Sequence, residues 1–160
     1  MLEIINRSTD PYFNLALEEY VIKNMNTKEE FFILWQNQPV VVVGKNQNTI
    51  EEINQEYINN HDVKVVRRLS GGGAVYHDLD NLNFTFIVND NKNYSFDFSA
   101  FTRPVIKALA AIGIKAENNG RNDITIDGKK FSGNSQFRYH DRLLHHGTIL
   151  FNSNLENVGK

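Results

Sequence analysis

The sequence predicts an α+β domain in which a largely antiparallel or mixed β-sheet packs with a few helices. Three observations carry that expectation. Short apolar runs such as Val40-Val41-Val42-Val43 suit buried strands. Leu82, Phe84, Phe86 and Val88 alternate with neighbours on the other face at period two. Everything from Lys115 to Phe151 reads as hairpin-linked strands, with helical signals confined to three earlier segments. The 160 residues, 41% hydrophobic, are enough for one core without covalent staples.

Taken in order, a strand at Leu2–Asn6 leads to Asp10-Pro11, an N-cap with proline at the first helical position. Phe13, Ala16, Leu17, Tyr20 and Val21 then recur at helical spacing and are expected to form the buried face. Phe31–Gln36 and Val40–Gly44 read as strands around Asn37-Gln38-Pro39. Thr49 with Glu52 fits a capping box for one helix to about Asn60. Val63–Arg68 and Ala74–His77 are strands flanking three successive glycines. Leu82–Val88 is expected to be half-buried. A helix near Phe101–Ile112 has Pro104 in its first turn and Gly113 past its end.

Composition excludes several classes. Seventeen basic against nineteen acidic side chains give a net charge of −2, which argues against a nucleic-acid binder held by bulk charge. No apolar run approaches a membrane span, and Met1–Asn6 has neither a basic nor an apolar signal region, so a cytoplasmic protein with no membrane partner is expected. The absence of cysteine removes disulfides, thiolate metal sites and a thiol nucleophile.

Chemistry concentrates in two segments. In Arg67-Arg68-Leu69-Ser70-Gly71-Gly72-Gly73-Ala74-Val75-Tyr76-His77-Asp78, the glycines let backbone N–H groups approach a ligand, and the arginines offer forked donors for phosphate or carboxylate. The spacing fits neither the P-loop nor the dinucleotide fingerprint. A flexible hairpin loop flanked by surface arginines is the plainer alternative. The second segment runs from Asn122-Asp123 to Ser132-Gly133-Asn134. Its Asp127-Gly128 is a two-residue hairpin signal that sets Ile126 against Lys129, Thr125 against Lys130 and Ile124 against Phe131. Lys130 is then expected beside Asp123, Thr125 and Ser132, with Ile124, Ile126 and Phe131 on the opposite face.

These residues resemble a known family. Asp10 to Glu19, Arg68 to Asp78, Gly120-Arg121-Asn122-Asp123, Lys130-Phe131-Ser132-Gly133 and His145 to Leu150 are similar, in order and spacing, to the lipoate–protein ligase A family. The likeness runs from about Ile5 to the last residues. It implies the catalytic core of the biotin/lipoate ligase superfamily, related in fold to class II synthetases. It also implies a two-step reaction, in which ATP and lipoate form lipoyl-adenylate and a lysine of an acceptor lipoyl domain takes the acyl group. The implied acceptors are the lipoyl domains of 2-oxoacid dehydrogenase E2 subunits and the glycine cleavage H protein.

Carried over by position, Lys130 looks like the active-site lysine that contacts the activated carboxyl and the phosphate. Arg68 resembles the phosphate-side arginine, with Gly73, Ala74, Val75 and Tyr76 around the nucleotide. Ser70, Gly71, Gly72, His77 and Trp35 would belong to the lipoate side, Trp35 lining the tail pocket. Asn122 and Asp123 would hold adenylate hydroxyls or Mg²⁺, with Asp123 the metal candidate. Trp35 could equally be a core residue, and His77 and His146 hydrogen-bonded structural histidines.

Two departures stand out. Asp80 replaces a common glycine, for which a small backbone cost is expected. Residues 1–160 also read as the N-terminal portion of such a catalytic domain, without its remainder or an accessory C-terminal domain, so part of an apolar face is expected to be exposed or paired. The cysteine-dependent octanoyltransferases of the same superfamily are the alternative activity, and a truncated binding module is the non-catalytic one.

Overall fold

In the computed structural model, which describes residues 1–26, 28–90, 97–120 and 122–152, the strands divide between two sheets. In the larger, β1 (Leu2–Ile5), β2 (Phe31–Trp35), β6 (Asn81–Asn89), β10 (Arg142–Leu150), β9 (Lys129–Tyr139), β8 (Asp123–Ile126) and β7 (Glu117–Asn119) lie side by side in that order. β1 and β2 are parallel, and the other neighbours are antiparallel. In the smaller, β3 (Val40–Val43) lies between β4 (Lys64–Arg67), which is parallel to it, and β5 (Val75–His77), which is antiparallel. The strands flanking the glycines therefore pair with β3 and not with each other. The α+β expectation is met, and a simple hairpin around the glycines is not.

Helix α1 (Pro11–Asn24) starts where the sequence places it. The Asp10 carboxylate accepts from the backbone N–H of Tyr12 at 2.8 Å and of Phe13 at 3.2 Å. Its buried face is not the expected one. Phe13 and Tyr20 are more than half exposed, and the buried stripe is Pro11, Asn14, Glu18, Val21 and Ile22. The cause is position. Leu15 of α1 packs on Val40, Val42 and Val66 of the small sheet, and Val21 and Ile22 pack with Phe31, Ile33, Trp35, Ile87 and Leu144 of the large one. Between two sheets the helix also meets polar groups, which a count of apolar residues does not see.

The second helical segment is two helices, α2 (Thr49–Glu52) and α3 (Gln55–His61), and not one capped by Thr49. The Thr49 hydroxyl instead accepts from Arg67 Nη2 at 2.6 Å, and Asn54 caps α3 by accepting from the Tyr57 N–H at 3.1 Å. α4 (Ser99–Ala111) starts before Phe101, so Pro104 lies in its second turn. Its end is a Schellman closure: Gly113 has φ +87, its N–H reaches Ala110, and the Ile114 N–H reaches Leu109.

β6 is buried on both faces, where half-burial was expected. Phe84, Phe86 and Val88 meet Phe101 of α4 and Leu143, while Ile87 and Thr85 face α1. Between β8 and β9, Asp127 (φ +51) and Gly128 (φ +73) form the expected tight turn. Ile126 opposes Lys129 and Thr125 opposes Lys130, but a bulge at Phe131 then sets Ile124 against Ser132. Asp80 is not among the positive-φ residues, so its expected cost does not arise. Among the described residues no helix is long and apolar enough to cross a membrane.

Candidate active site

The two chemistry-bearing segments meet at one cavity of about 680 Å³. The glycine segment enters from the small sheet, and β9 and β10 form the facing wall. Trp35, Arg68, Gly71, Gly72, Gly73, Ala74, Val75, Tyr76, His77, Asn122 and Lys130 all line it. Ser70, which is buried, and Asp123, which pairs with Lys130, do not themselves line it. Arg121 lies outside the described residues.

Arg68 does not point freely at the cavity mouth. It is 8% exposed, and its guanidinium donates to Val42 O (3.0 Å), Gly71 O (2.8 Å), Gly73 O (2.7 Å) and Ser70 Oγ (3.2 Å). Three of its five N–H groups thus hold the loop, and a fourth ties it to β3. Burial lowers its pKa, opposed by the charge of Glu18. Arg67, its neighbour, donates to Gly44 O, Lys45 O and Gln47 O and holds the adjoining loop. Of the glycines, Gly72 needs its lack of a side chain for conformation, at φ +99. The tightest approach is at Gly44, where a Cβ would lie 2.0 Å from Gly72 O. That glycine sits outside the triplet, and no motif pointed to it.

Behind the loop runs a buried polar chain. Trp35 Nε1 donates to Thr85 Oγ1 (2.9 Å), and Thr85 donates to Glu18 (2.5 Å). Glu18 meets His146 Nδ1 (3.1 Å), and His146 Nε2 meets Ser70 Oγ (2.6 Å). Glu18 escaped the sequence reading because an acid on a surface-type helix normally faces solvent. Its helical spacing from Asn14, Val21 and Ile22 was the available signal.

At the other side, Lys130 Nζ lies 2.9 Å from Asp123 Oδ1, as the hairpin register anticipated. The lysine side chain is 56% exposed and can move toward a bound ligand. Asn122 is tied down by Asn134, whose Nδ2 donates to its carbonyl at 3.0 Å. Among the described residues no three His, Cys, Asp or Glu side chains cluster as a metal site.

His77 is fully buried, and burial, with smaller contributions from His146 and Arg68, pushes its pKa from 6.5 down to about 3. It therefore stays neutral. Its Nδ1 faces Asn37 Nδ2 at 3.2 Å, while Nε2 has no hydrogen-bond partner among the described residues. Asn81 Oδ1 and Asn83 Nδ2, on β6, share that condition.

Known proteins are similar to this chain in sequence and in fold. The chain is 52% identical over 153 residues to lipoate–protein ligase 1 of Staphylococcus aureus, covering 96% of this chain and 47% of the relative. It is 51% identical over 159 residues to lipoate-protein ligase LplJ of Bacillus subtilis, covering 99% and 48%. The chain thus spans about half the length of the curated relatives it matches. The crystal structure of P. falciparum LipL1 in complex with lipoate superimposes with a TM-score of 0.88 at 36% identity, over 100% of this chain and 50% of that one. A family model described as the lipoyl protein ligase A/B catalytic domain matches residues 10–160, and the chain belongs to that family.

Proposed function

We propose that this chain carries the site at which lipoate is activated by ATP and passed, as an amide, to a lysine of an acceptor lipoyl domain. The observation that carries the reading is the convergence of the glycine segment, Lys130 and an aromatic-walled apolar recess on one cavity, in a chain half identical to lipoate ligases. Lipoate has a carboxylate at one end of an apolar chain, and the cavity lining offers groups for both: backbone amides of the glycine segment and the Lys130 ammonium, and the apolar side chains of Trp35 and Leu15. A solved relative that holds lipoate supports lipoate as the ligand of this fold.

In the first step the carboxylate oxygen attacks the α-phosphorus of ATP and pyrophosphate leaves, giving lipoyl-adenylate. In the second the acceptor amine attacks the carbonyl carbon and AMP leaves. Negative charge develops on phosphate oxygens and then on the carbonyl oxygen, and the Lys130 ammonium is placed to stabilise both. Arg68 acts mainly by holding Gly71 and Gly73, so the loop amides are already oriented when the nucleotide arrives. Ser70 contributes from behind that loop, through Arg68 and His146. Mg²⁺ fits as the companion of the nucleotide phosphates, with Asp123 the carboxylate that would meet it once Lys130 turns to the ligand. The acceptors that suit this chemistry are the lipoyl domains of 2-oxoacid dehydrogenase E2 subunits and the H protein of glycine cleavage. Octanoyl transfer through an acyl-enzyme thioester has no thiol to use in this sequence.

The test is mass spectrometry of an acceptor lipoyl domain incubated with the protein, ATP, Mg²⁺ and lipoate, with pyrophosphate release followed in parallel. A lipoyl mass increment that requires ATP supports the reading. Pyrophosphate release that does not depend on lipoate, with no increment, overturns it.

A further inference from the structure

His145 lies in the middle of β10, paired with Phe86 of β6 and Gln136 of β9, and is fully buried. The reaction steps above do not use it. Its ring stacks on Phe101 of α4, with centroids 4.5 Å apart and planes inclined at 16°. It stands edge-on to Phe98, which lines the cavity.

Both ring nitrogens are hydrogen-bonded, and the neighbours decide which one carries the proton. Asn134 Nδ2 donates to the Asn122 carbonyl (3.0 Å) and to Ser132 Oγ (3.4 Å), so its Oδ1 is the atom turned to His145 Nε2, at 3.2 Å. A carboxamide oxygen only accepts, so Nε2 is protonated. Nδ1 then accepts from Gln136 Nε2 at 3.2 Å. Burial, with His146 adding to it, holds the His145 pKa at about 3, so the ring stays neutral in this single tautomer. Gly147 makes room for the arrangement. A Cβ there would lie 2.3 Å from Asn134 Oδ1 and 2.4 Å from the Phe84 ring.

The consequence reaches the cavity, which Asn122 and Asn134 both line. The Asn134 backbone N–H also donates to the Asn122 carbonyl, at 2.9 Å, and Asn122 directly precedes Asp123, the partner of Lys130. With the Asn134 amide reversed, its oxygen would face the Asn122 carbonyl oxygen and its NH₂ would face the His145 N–H. Like would meet like at both ends, in a place where unmade hydrogen bonds are costly. One imidazole N–H therefore selects the orientation that the wall requires.

We propose that His145 is a positioning residue, whose Nε2–H holds the Asn134 amide so that Asn122 and the adjoining Asp123–Lys130 pair are set for the nucleotide. This deepens the proposed function and rests on its placement of the ATP phosphates beside Lys130 and Asp123. His145 acts through Asn134 and touches no substrate.

The experiment is lipoate-dependent pyrophosphate release, with KM for ATP and KM for lipoate measured separately. His145→Phe keeps a ring against Phe101 and removes the N–H. It should raise KM for ATP about tenfold and leave KM for lipoate within about twofold of wild type. His145→Gln, which can still donate, should recover part of the loss. In an Asn134→Ala background the His145→Phe change should add less than about twofold, because the group it orients is already gone. An unchanged KM for ATP in folded His145→Phe overturns the proposal. Equal losses toward ATP and lipoate do so too, as the mark of a merely structural residue, and so does an undiminished effect in the Asn134→Ala background. Absence of lipoate-dependent pyrophosphate release in wild type removes the functional reading, and this inference with it. Circular dichroism checks the fold of each variant. Histidine nitrogen chemical shifts of the wild type test the geometry without any variant: a neutral Nε2–H ring is expected at position 145, and an Nδ1–H ring there overturns the proposal.

Discussion

Lys129 and Lys130 are adjacent and chemically identical, yet one residue of register separates their surroundings. Lys130 opposes Thr125 and reaches Asp123 at 2.9 Å, while Lys129 opposes Ile126 next to the turn. Only Lys130 lines the cavity. Removing one preorganised donor at a developing negative charge costs on the order of 10²–10³ in rate. Lys130→Ala should therefore lose at least about that factor in lipoate-dependent pyrophosphate release, and Lys129→Ala should stay near wild type. Loss in the Lys129 variant alone, with both folded, would show that the residue assignment is wrong. The lysine position was legible because Asp-Gly turns fix pairing from the turn outward. The bulge at Phe131 was not, since an extra residue in a strand leaves no local sequence mark.

At the scale of elements, α1 is joined to the large sheet and the glycine loop through one carboxylate. Glu18 is 3% exposed and accepts from Thr85 of β6 while meeting His146 of β10. Glu18→Ala leaves both groups buried without that partner, a loss of roughly 1–3 kcal/mol. It should lower the urea midpoint accordingly, and Glu18→Gln should recover part of the loss, because its amide can still occupy the site. A midpoint equal to wild type in the alanine variant would mean that the chain of contacts contributes nothing to stability. The element boundaries of α1 and its cap could be read from Asp10-Pro11 alone. Its orientation could not. Helical periodicity reports which residues are apolar, whereas Asn14 and Glu18 face inward because the β2–β3 connection presents oxygens to the one and the large sheet a hydroxyl and an imidazole to the other.

For the whole molecule, two buried histidines set the response to acid. Burial, with His146 adding to it, holds both His77 and His145 at about 3 against 6.5. Below 6.5 the unfolded chain takes up protons that the native chain refuses, so stability falls as pH drops from 6.5 toward 3. Each histidine contributes roughly 1.4 kcal/mol per pH unit well inside that window. Asp10 and Asp97 act lower. Their carboxyls are held below 3.8, chiefly by the Phe13 N–H and the Ser99 hydroxyl respectively, so their share is lost only beneath that value. Urea unfolding should thus show a falling midpoint already between about pH 6.5 and pH 5. A midpoint constant over that interval would contradict neutral burial of the two rings.

The sequence by itself determined what is local or carried by spacing: the α+β class, the cap of α1, the Schellman end of α4, the Asp127-Gly128 turn, and the segments that line the cavity. Each follows from a few neighbouring residues whose conformational preferences act before the chain is packed. Tertiary structure alone decided that β4 and β5 both pair with β3 and that β6 is covered on two faces. It also turned Arg68 toward the loop carbonyls and set Gly44 against Gly72, and it left His77 Nε2 without a hydrogen-bond partner among the described residues. Those outcomes depend on which distant surface arrives opposite a given side chain. Hydrogen-bond satisfaction in a buried place is a property of both partners, and one stretch of sequence names only one of them.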